Sequence, residues 1–415
     1  MINYRTILVK LNFPYFISKR IVDASGERFA KTISNLAIGS ISLGLCVMIL
    51  AYFILGGFQK TIKDKIYNLK GHIEVTKFDL GSSYDENPIA IDDQVIQQVN
   101  SYDFTEHIQF FAHKSAMLKT EEEVEGVFFK GVGSNFSQVH FSSNMLRGRF
   151  IHFVDSGYSS EVVISQKISS KLNLDVGDRV TIYFMQNPPR FRRLDIVGVY
   201  ETGLEEIDKA LILGDLGLIR RINNWPKDMI GGYEIFLKDA GQSIQARDIM
   251  FEELNAELYV ERVSDKYRQI FDWLELLDQN VAVFLGLILV VACFNMISIL
   301  LILIMERTNM VGLLQSLGAS KNQIRRVFLY NGIQLVVKGL VIGNGLALLL
   351  AFLQDRFQII PLDAANYYMH FVPIEWDFKS MIFVNVLTFF VVYLALSIPL
   401  TVISRIKPIA ALKFD

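Results

Sequence analysis

The chain has 415 residues, of which 51% are hydrophobic, and a formal net charge of −2. A nearly balanced charge gives no electrostatic reason to expect a nucleic-acid partner. The two cysteines, Cys46 and Cys293, both lie in strongly apolar stretches, which excludes a disulfide framework in any soluble part of the chain.

Four stretches are long and apolar enough to cross a bilayer, whose hydrocarbon core of about 30 Å needs roughly 20 apolar residues in a spanning helix. Backbone polar groups in lipid must be satisfied internally, so each stretch is predicted to be a helix. The stretches are residues 33–55, 281–305, 327–354 and 380–404. The sequence therefore predicts a membrane protein with four transmembrane α-helices and a large polar domain inserted between the first two.

Basic residues next to these stretches indicate the topology, because short cytoplasmic flanks are enriched in Lys and Arg. They precede the first stretch, occupy the loop between the second and third, and follow the fourth, whereas the loop between the third and fourth is acid-weighted. The basic residues are Arg5, Lys10, Lys19, Arg20, Arg28, Lys31, Arg307, Lys321, Arg325, Arg326, Arg405, Lys407 and Lys413. We expect both termini in the cytoplasm and the large domain outside.

Residue patterning divides the chain into nine predicted segments. They are an interfacial helix at 1–32, transmembrane helix 1 with a stalk at 33–70, an α/β domain at 71–263, a stalk with helix 2 at 264–305, a cytoplasmic segment at 306–326, helix 3 at 327–354, a loop at 355–379, helix 4 at 380–404 and a cytoplasmic tail at 405–415.

The domain is predicted to be mixed α/β. The predicted strands are 72–78, 108–118, 124–132, 162–165, 179–184, 194–199, 210–213 and 233–237, and the predicted helices are 166–172, 216–222 and 242–257. The acidic run at 121–125 is interpreted as a hairpin tip. The six histidines have no ligand spacing, so no metal site and no catalytic constellation are predicted.

The segment between the second and third helices carries the clearest local pattern. Four apolar residues recur at i, i+3, i+4 and i+7 on one face of a short helix: Met310, Leu313, Leu314 and Leu317. Gly318 is placed to end this helix in the left-handed conformation, and Ser320 with Gln323 forms a capping box for the next. The helix either rests on lipid headgroups or docks a cytoplasmic partner, and the fixed break at Gly318 favours docking.

Residues 307–328 (RTNMVGLLQSLGASKNQIRRVF) resemble the coupling-helix signature of FtsX-like, type VII ABC permeases. Further stretches resemble the lipoprotein-releasing LolC/LolE branch of that family. They are VVACFNMIS at 290–298, GRF at 148–150, VVIS at 162–165, LNLDVGD at 172–178, YYMHFVP at 367–373 and PIAALKFD at 408–415. The resemblance covers essentially the whole chain and implies a MacB-like periplasmic core for the outside domain.

The resemblance implies a permease subunit that extracts lipoproteins from the inner membrane and releases them toward a periplasmic, LolA-like carrier. The chain has no G-x-x-x-x-G-K-[ST] phosphate loop, so ATP and Mg would bind to a separate LolD-like ATPase dimer. A second permease, either a homologue or another copy of this chain, is also implied. The residues expected to couple to the ATPase are Arg307, Met310, Leu313, Leu314, Leu317 and Gly318.

Helices 1 and 2, which continue as stalks, are the expected walls of a cavity for lipoprotein acyl chains. The candidate residues are Leu43, Val47, Leu50, Phe53, Ile54, Phe284, Ile288, Val291, Asn295 and Ile299, and each of them could instead face lipid. Small residues predict helix-packing seams or a dimer face: Gly39, Ser40, Ser42, Gly44, Gly339 and Gly343. For Lys338, on the face of Asn331 and Gln334, we favour structural pairing over substrate contact.

In this family a projecting loop of one permease binds the carrier, and the corresponding segment here, 185–193, is shorter. The candidate docking residues are Pro188, Pro189, Arg190, Phe191 and Arg192, and the segment could equally be a plain turn. Two other functions stay open: an FtsX-type subunit that controls a periplasmic hydrolase, and a MacB-type subunit of an efflux assembly. A free-standing enzyme is disfavoured, because no reactive constellation is present.

Overall fold

A computed structural model describes residues 28–78, 87–120, 123–154, 157–363, 367 and 369–401. The predicted tail and nearly all of the predicted interfacial helix lie outside these residues. The described chain forms two compact units. One contains the residues up to Phe58, then Glu275–Ile360 and the residues from Val372 onward; the other contains Gln59–Leu274 and Pro361–Phe371.

Twelve α-helices are described. In chain order they are α1 (Arg28–Lys70), α2 (Asp93–Ser101), α3 (Gln138–Ser142), α4 (Gln166–Leu172), α5 (Glu205–Ala210), α6 (Leu216–Asn223), α7 (Ser243–Glu253), α8 (Val263–Lys266), α9 (Arg268–Glu306), α10 (Thr308–Ser316), α11 (Lys321–Phe357) and α12 (Phe378–Leu400). Four of these, α1, α9, α11 and α12, are long and apolar enough to cross a membrane, as predicted.

The strands are β1 (Ile73–Lys77), β2 (Ile89–Ala90), β3 (Thr105–Lys119), β4 (Val124–Val132), β5 (Met145–Gly148), β6 (Glu161–Ser165), β7 (Arg179–Phe184), β8 (Arg190–Tyr200), β9 (Leu211–Asp215), β10 (Met229–Ile230), β11 (Gly232–Leu237) and β12 (Leu258–Arg262). Ten belong to one sheet in the order β12-β1-β11-β3-β4-β9-β6-β8-β5, and β7 pairs with both β3 and β8. Strands β3, β4, β9, β6, β8 and β7 therefore close into a ring, and β11, β1 and β12 extend from it.

All eight predicted strands are present, whereas β2, β5, β10 and β12 were not predicted. Strands β3 and β4 pair as an antiparallel hairpin on either side of the acidic run, of which residues 121 and 122 lie outside the described residues, and the amide of Thr120 donates to the carbonyl of Glu123 at 3.0 Å. The edge strand β12 was missed because it begins right after the predicted helix 242–257, whereas the observed α7 already ends at Glu253. Helix α2 was also missed, although Asp92 caps it and Val95 and Val99 form its buried face.

Helix α1 is continuous through Gly56 and Gly57 and ends at Lys70, in the segment where the stalk is predicted. The second stalk is interrupted once, because α8 ends at Lys266 and α9 begins at Arg268.

The small residues of α11 pack within this chain. A Cβ added at Gly339 would lie 2.8 Å from the Cβ of Ile41, and one added at Gly343 would lie 2.8 Å from the carbonyl oxygen of Ser42. The two glycines therefore let α11 lie close against α1. At Gly339 and Gly343 the pattern is therefore a packing seam within the chain, whereas nothing lies within 4 Å of a Cβ added at Gly39, where a dimer face stays a prediction.

Candidate functional site: the coupling segment and the apolar helix faces

The predicted cytoplasmic segment, residues 306–326, is the candidate for coupling to an ATPase and has the local geometry that its sequence predicts. Gly318 has a φ of 91°, and the amide of Ala319 donates to the carbonyl of Leu314 at 2.9 Å across this left-handed turn. The amide of Gln323 donates to the Ser320 hydroxyl at 3.3 Å, and the Gln323 side chain accepts from the Ser320 amide at 2.8 Å. The angle between α10 and α11 is thus fixed by hydrogen bonds.

The four predicted apolar residues of α10 do not share one environment. Met310 and Leu314 pack partly against the core of the helix bundle, beside the fully buried Val311. Leu313 and Leu317 stay 54% and 76% exposed. The predicted four-residue docking face is therefore corrected to a ridge of two leucines, because the other two side chains turn toward the bundle.

Polar groups beside this ridge have unused hydrogen-bonding capacity. The guanidinium of Arg307 is half-buried and forms no ion pair with any residue that the structure describes. Glu306 Oε2 and Gln315 Nε2 are shielded from solvent and have no hydrogen-bond partner within the described ranges. Such groups cost free energy unless a partner satisfies them.

The predicted cavity residues of α1 and α9 separate into outward-facing and buried sets. The exposed residues are Leu43, Val47, Ile54, Phe284, Val291 and Asn295. Phe53 and Ile299 are buried in the bundle and cannot line an external cavity as the structure stands, whereas Leu50 and Ile288 are half-buried and pack partly against its core. Apolar composition alone does not distinguish the buried side of a membrane helix from its outward side, so the sequence predicts both sets together.

The outward-facing apolar residues form a stripe on each helix. On α1 the stripe is Leu36, Leu43, Val47 and Ile54; on α9 it is Phe284, Leu287, Val291 and Phe294, beside which Val283 and Val290 are also exposed. Their spacings of three, four and seven residues are those of a helix seam that packs against another helix. Sequence reasoning missed Leu36, Leu287 and Phe294, although the same heptad spacing identifies them.

The predicted carrier-docking loop is a tight connection between β7 and β8. Pro188 and Pro189 are exposed, but Arg190 Nη1 donates to the carbonyl of Ile222 at 2.7 Å, and Arg192 Nε donates to the Tyr158 hydroxyl at 3.2 Å. Both arginines therefore make hydrogen bonds within the domain, and their role in docking a carrier stays a prediction.

Phe191 remains 57% exposed, with its ring 5.8 Å from that of Tyr183. Met117 lies opposite Tyr183 on the neighbouring strand. These three residues form an apolar stripe across β3, β7 and β8.

Lys338 is exposed on α11, whereas Asn331 is buried. The expected structural pairing of Lys338 is not made, because its ammonium has no hydrogen-bond or ion-pair partner among the described residues. Those residues also contain no cluster of three His, Cys, Asp or Glu side chains that could hold a metal ion.

Two family models match the chain. The model described as FtsX-like permease C-terminal matches residues 282–408, and the model described as MacB-like periplasmic core domain matches residues 34–246. Among solved structures, the periplasmic region of MacB from Actinobacillus actinomycetemcomitans is 11% identical, covering 48% of this chain and 91% of that one, with a TM-score of 0.34.

Full-length relatives are similar to the chain from end to end. The lipoprotein-releasing system transmembrane protein LolC of Haemophilus influenzae is 23% identical over 98% of this chain and 100% of its own length. LolC of Neisseria meningitidis is 21% identical, covering 93% and 95%, and LolE of Haemophilus influenzae is 22% identical, covering 96% and 98%. The chain therefore belongs to the FtsX-like permeases that carry a MacB-like periplasmic core domain between their first two membrane helices.

Proposed function

We propose that this chain is a permease subunit of an ATP-driven complex that extracts lipoproteins from the inner membrane and releases them toward a periplasmic carrier. Its similarity to LolC and LolE proteins over nearly the full length supports this function. The observation that carries it is the pair of outward apolar stripes on α1 and α9, the helices that flank the inserted domain in the sequence.

The physical requirement is a shielded route for acyl chains. Each buried CH₂ contributes about 0.8 kcal/mol, so baring three chains of fifteen carbons to water would cost on the order of 35 kcal/mol. The α1 and α9 stripes would supply an apolar wall of the cavity. A second permease, which is either another copy or a homologue, would supply the facing wall.

ATP hydrolysis would take place in a separate ATPase subunit that holds ATP and Mg, and this chain would not itself be an enzyme. The ATPase would seat on Leu313 and Leu317, with Arg307 available to pair with an acidic residue of that subunit. This arrangement requires α10 and both termini on the cytoplasmic side, in agreement with the basic flanks.

The carrier would meet the domain on its periplasmic side. The Met117, Tyr183 and Phe191 stripe offers a small apolar surface there, whereas Arg190 and Arg192 are occupied within the domain. The prolines at 188 and 189 would border this surface.

Reconstitution tests the proposal. The complex is purified with its ATPase and placed in proteoliposomes that contain a triacylated lipoprotein, and transfer to a soluble carrier is followed after ATP addition. We expect ATP-dependent transfer that falls at least tenfold in Val291→Asn, because a polar group then faces the acyl chains. Val341→Asn, a matched control at an exposed position of α11, is expected to transfer normally.

ATP hydrolysis without lipoprotein transfer by the wild-type complex would reject the proposal and would favour an FtsX-type or MacB-type role. Equal losses in the two valine variants would reject the assignment of the cavity to the α1 and α9 stripes.

A further inference from the structure

A row of charged and polar residues crosses one part of the sheet. Its members lie directly opposite one another on four adjacent strands: Glu261 on β12, Glu74 on β1, Glu234 on β11 and Gln109 on β3. Glu74, Glu234 and Gln109 are buried. Carboxylates placed side by side on neighbouring strands repel one another, and a buried charge is tolerated only with a partner.

Three lysines supply the opposite charge. The fully buried Lys130 on β4 donates to Glu234 at 2.6 and 2.9 Å. Lys266 forms an ion pair with Glu74. The buried Lys70 donates to Nε2 of His113 at 2.8 Å.

Two of these lysines terminate helices. Lys70 is the last residue of α1, and Lys266 ends α8 just before α9 begins. Lys130 contacts α1 as well, because its ammonium donates at 2.6 Å to the carbonyl of Leu69, at the negative end of the helix dipole. The C-terminal ends of α1 and α8 are therefore held to the sheet by hydrogen bonds of charged groups, which are buried at α1 and partly exposed at Lys266.

The local electrostatics agree with ionised partners. Burial acts to raise the pKa of Glu74, but the ammonium groups of Lys266 and Lys70 outweigh it, so the pKa of this carboxyl is lowered. Burial lowers the pKa of Lys130 to about 8, against the opposing attraction of Glu234.

We propose that five charged residues form a joint through which α1 and α9 pass their movement to the sheet during lipoprotein release. They are Lys70, Lys130, Glu234, Glu74 and Lys266. This inference rests on the proposed function. Apolar replacement of a buried ion pair is often neutral for stability, so stability alone does not explain the network. Ionic hydrogen bonds fix distance and direction at a helix end, which sliding apolar contacts do not.

The test is a double variant that removes one tie and leaves no unpaired charge: Lys130→Met with Glu234→Gln. The glutamine keeps an acceptor for Gln109, which donates to Glu234 at 2.7 Å. In the full complex we expect ATP hydrolysis within twofold of wild type, lipoprotein released per ATP reduced at least tenfold, and faster hydrogen exchange at the amides of Lys70 and Gly71.

The matched control is Lys171→Met with Glu125→Gln, which removes an exposed 2.6 Å ion pair of the same domain and should change none of these readouts. Lys130→Arg alone, which retains a donor and its charge, should recover part of the release. If the first double variant does not assemble, Lys266→Met with Glu74→Gln cuts the other tie and carries the same expectations.

If the assembled double variant releases as much lipoprotein per ATP as the wild type, the proposed joint is rejected. Absence of lipoprotein release by the wild-type complex would instead reject the proposed function. In that case unchanged hydrogen exchange at Lys70 and Gly71 in the variant would still overturn the joint, and faster exchange would support it.

Discussion

The two units of this protein pair their polar side chains in different ways. The α/β unit buries full charges and neutralises them in pairs, as Lys130 does with Glu234. The membrane-helix unit pairs neutral amides: Asn344 and Asn385 donate to each other at 2.7 and 2.9 Å, and Asn295 donates to the Ser40 hydroxyl at 2.8 Å.

The difference shows what each environment permits. A charge inside a membrane helix costs several kcal/mol, so helix contacts there use amides, hydroxyls and small residues. The α/β unit can bury charges because its strand register and its helix ends bring opposite charges together. We therefore expect mutations of polar side chains to be costly in the α/β unit and mild among the membrane helices.

The largest effect is predicted for Lys130→Ala. This change leaves Glu234 buried without its ammonium partner, and breaking such a pair by removing one member costs about 3–5 kcal/mol. The free energy of unfolding of the full chain in detergent, from denaturant titration, measures the loss. A loss below 1 kcal/mol would show that the pair contributes little and would remove the contrast between the units.

Acidification should weaken the α/β unit through His72. Burial, with a smaller contribution from His140, lowers the pKa of His72 to about 4, and Nδ1 of the neutral ring accepts from the Leu237 amide at 3.1 Å. The unfolded state binds the proton near pH 6.5, so the stabilising contribution of neutral His72 is fully present above that pH. The free energy of unfolding then falls by about 3 kcal/mol as the pH drops to 4.

The melting temperature at pH 7 and pH 4.5, compared between wild type and His72→Asn, checks this prediction. The asparagine cannot protonate, so the variant should lose less stability on acidification than the wild type. Equal pH slopes would show that His72 does not titrate as its burial implies.

In the membrane unit the close approach of α1 and α11 should be the most sensitive feature. Gly343→Ala places a Cβ against backbone atoms of Ser42, and such overpacking costs about 1–3 kcal/mol. Gly345→Ala is the matched control, since nothing lies within 4 Å of its added Cβ. Thermal unfolding in detergent should separate the two variants, and identical curves would contradict the seam.

The smallest effect is predicted for Asn344→Leu. Hydrogen bonds between membrane helices contribute about 0.6 kcal/mol on average and at most about 1.7 kcal/mol. The same denaturant titration used for Lys130→Ala measures it. A loss as large as that of Lys130→Ala would erase the distinction between the two units.

Local features were predictable from the sequence, and long-range ones were not. The left-handed Gly318 and the Ser320–Gln323 capping box depend only on neighbouring residues. The outward side of α10 depends on how the bundle packs, so Met310 and Leu314 were grouped wrongly with Leu313 and Leu317. The row formed by Glu261, Glu74, Glu234 and Gln109 could not be predicted from the sequence, because its members come from strands far apart in the chain and only the strand register aligns them.

The most direct test of the proposed mechanism is the docking of the ATPase on α10. Leu313→Glu with Leu317→Glu places two charges on the exposed ridge, and Leu313→Ile with Leu317→Met is the matched apolar control. Copurification with the ATPase and lipoprotein release per ATP are measured for both. We predict that the acidic pair loses at least tenfold in both readouts while the control keeps them, and wild-type docking and release by the acidic pair would contradict the proposal that the ATPase acts through this ridge.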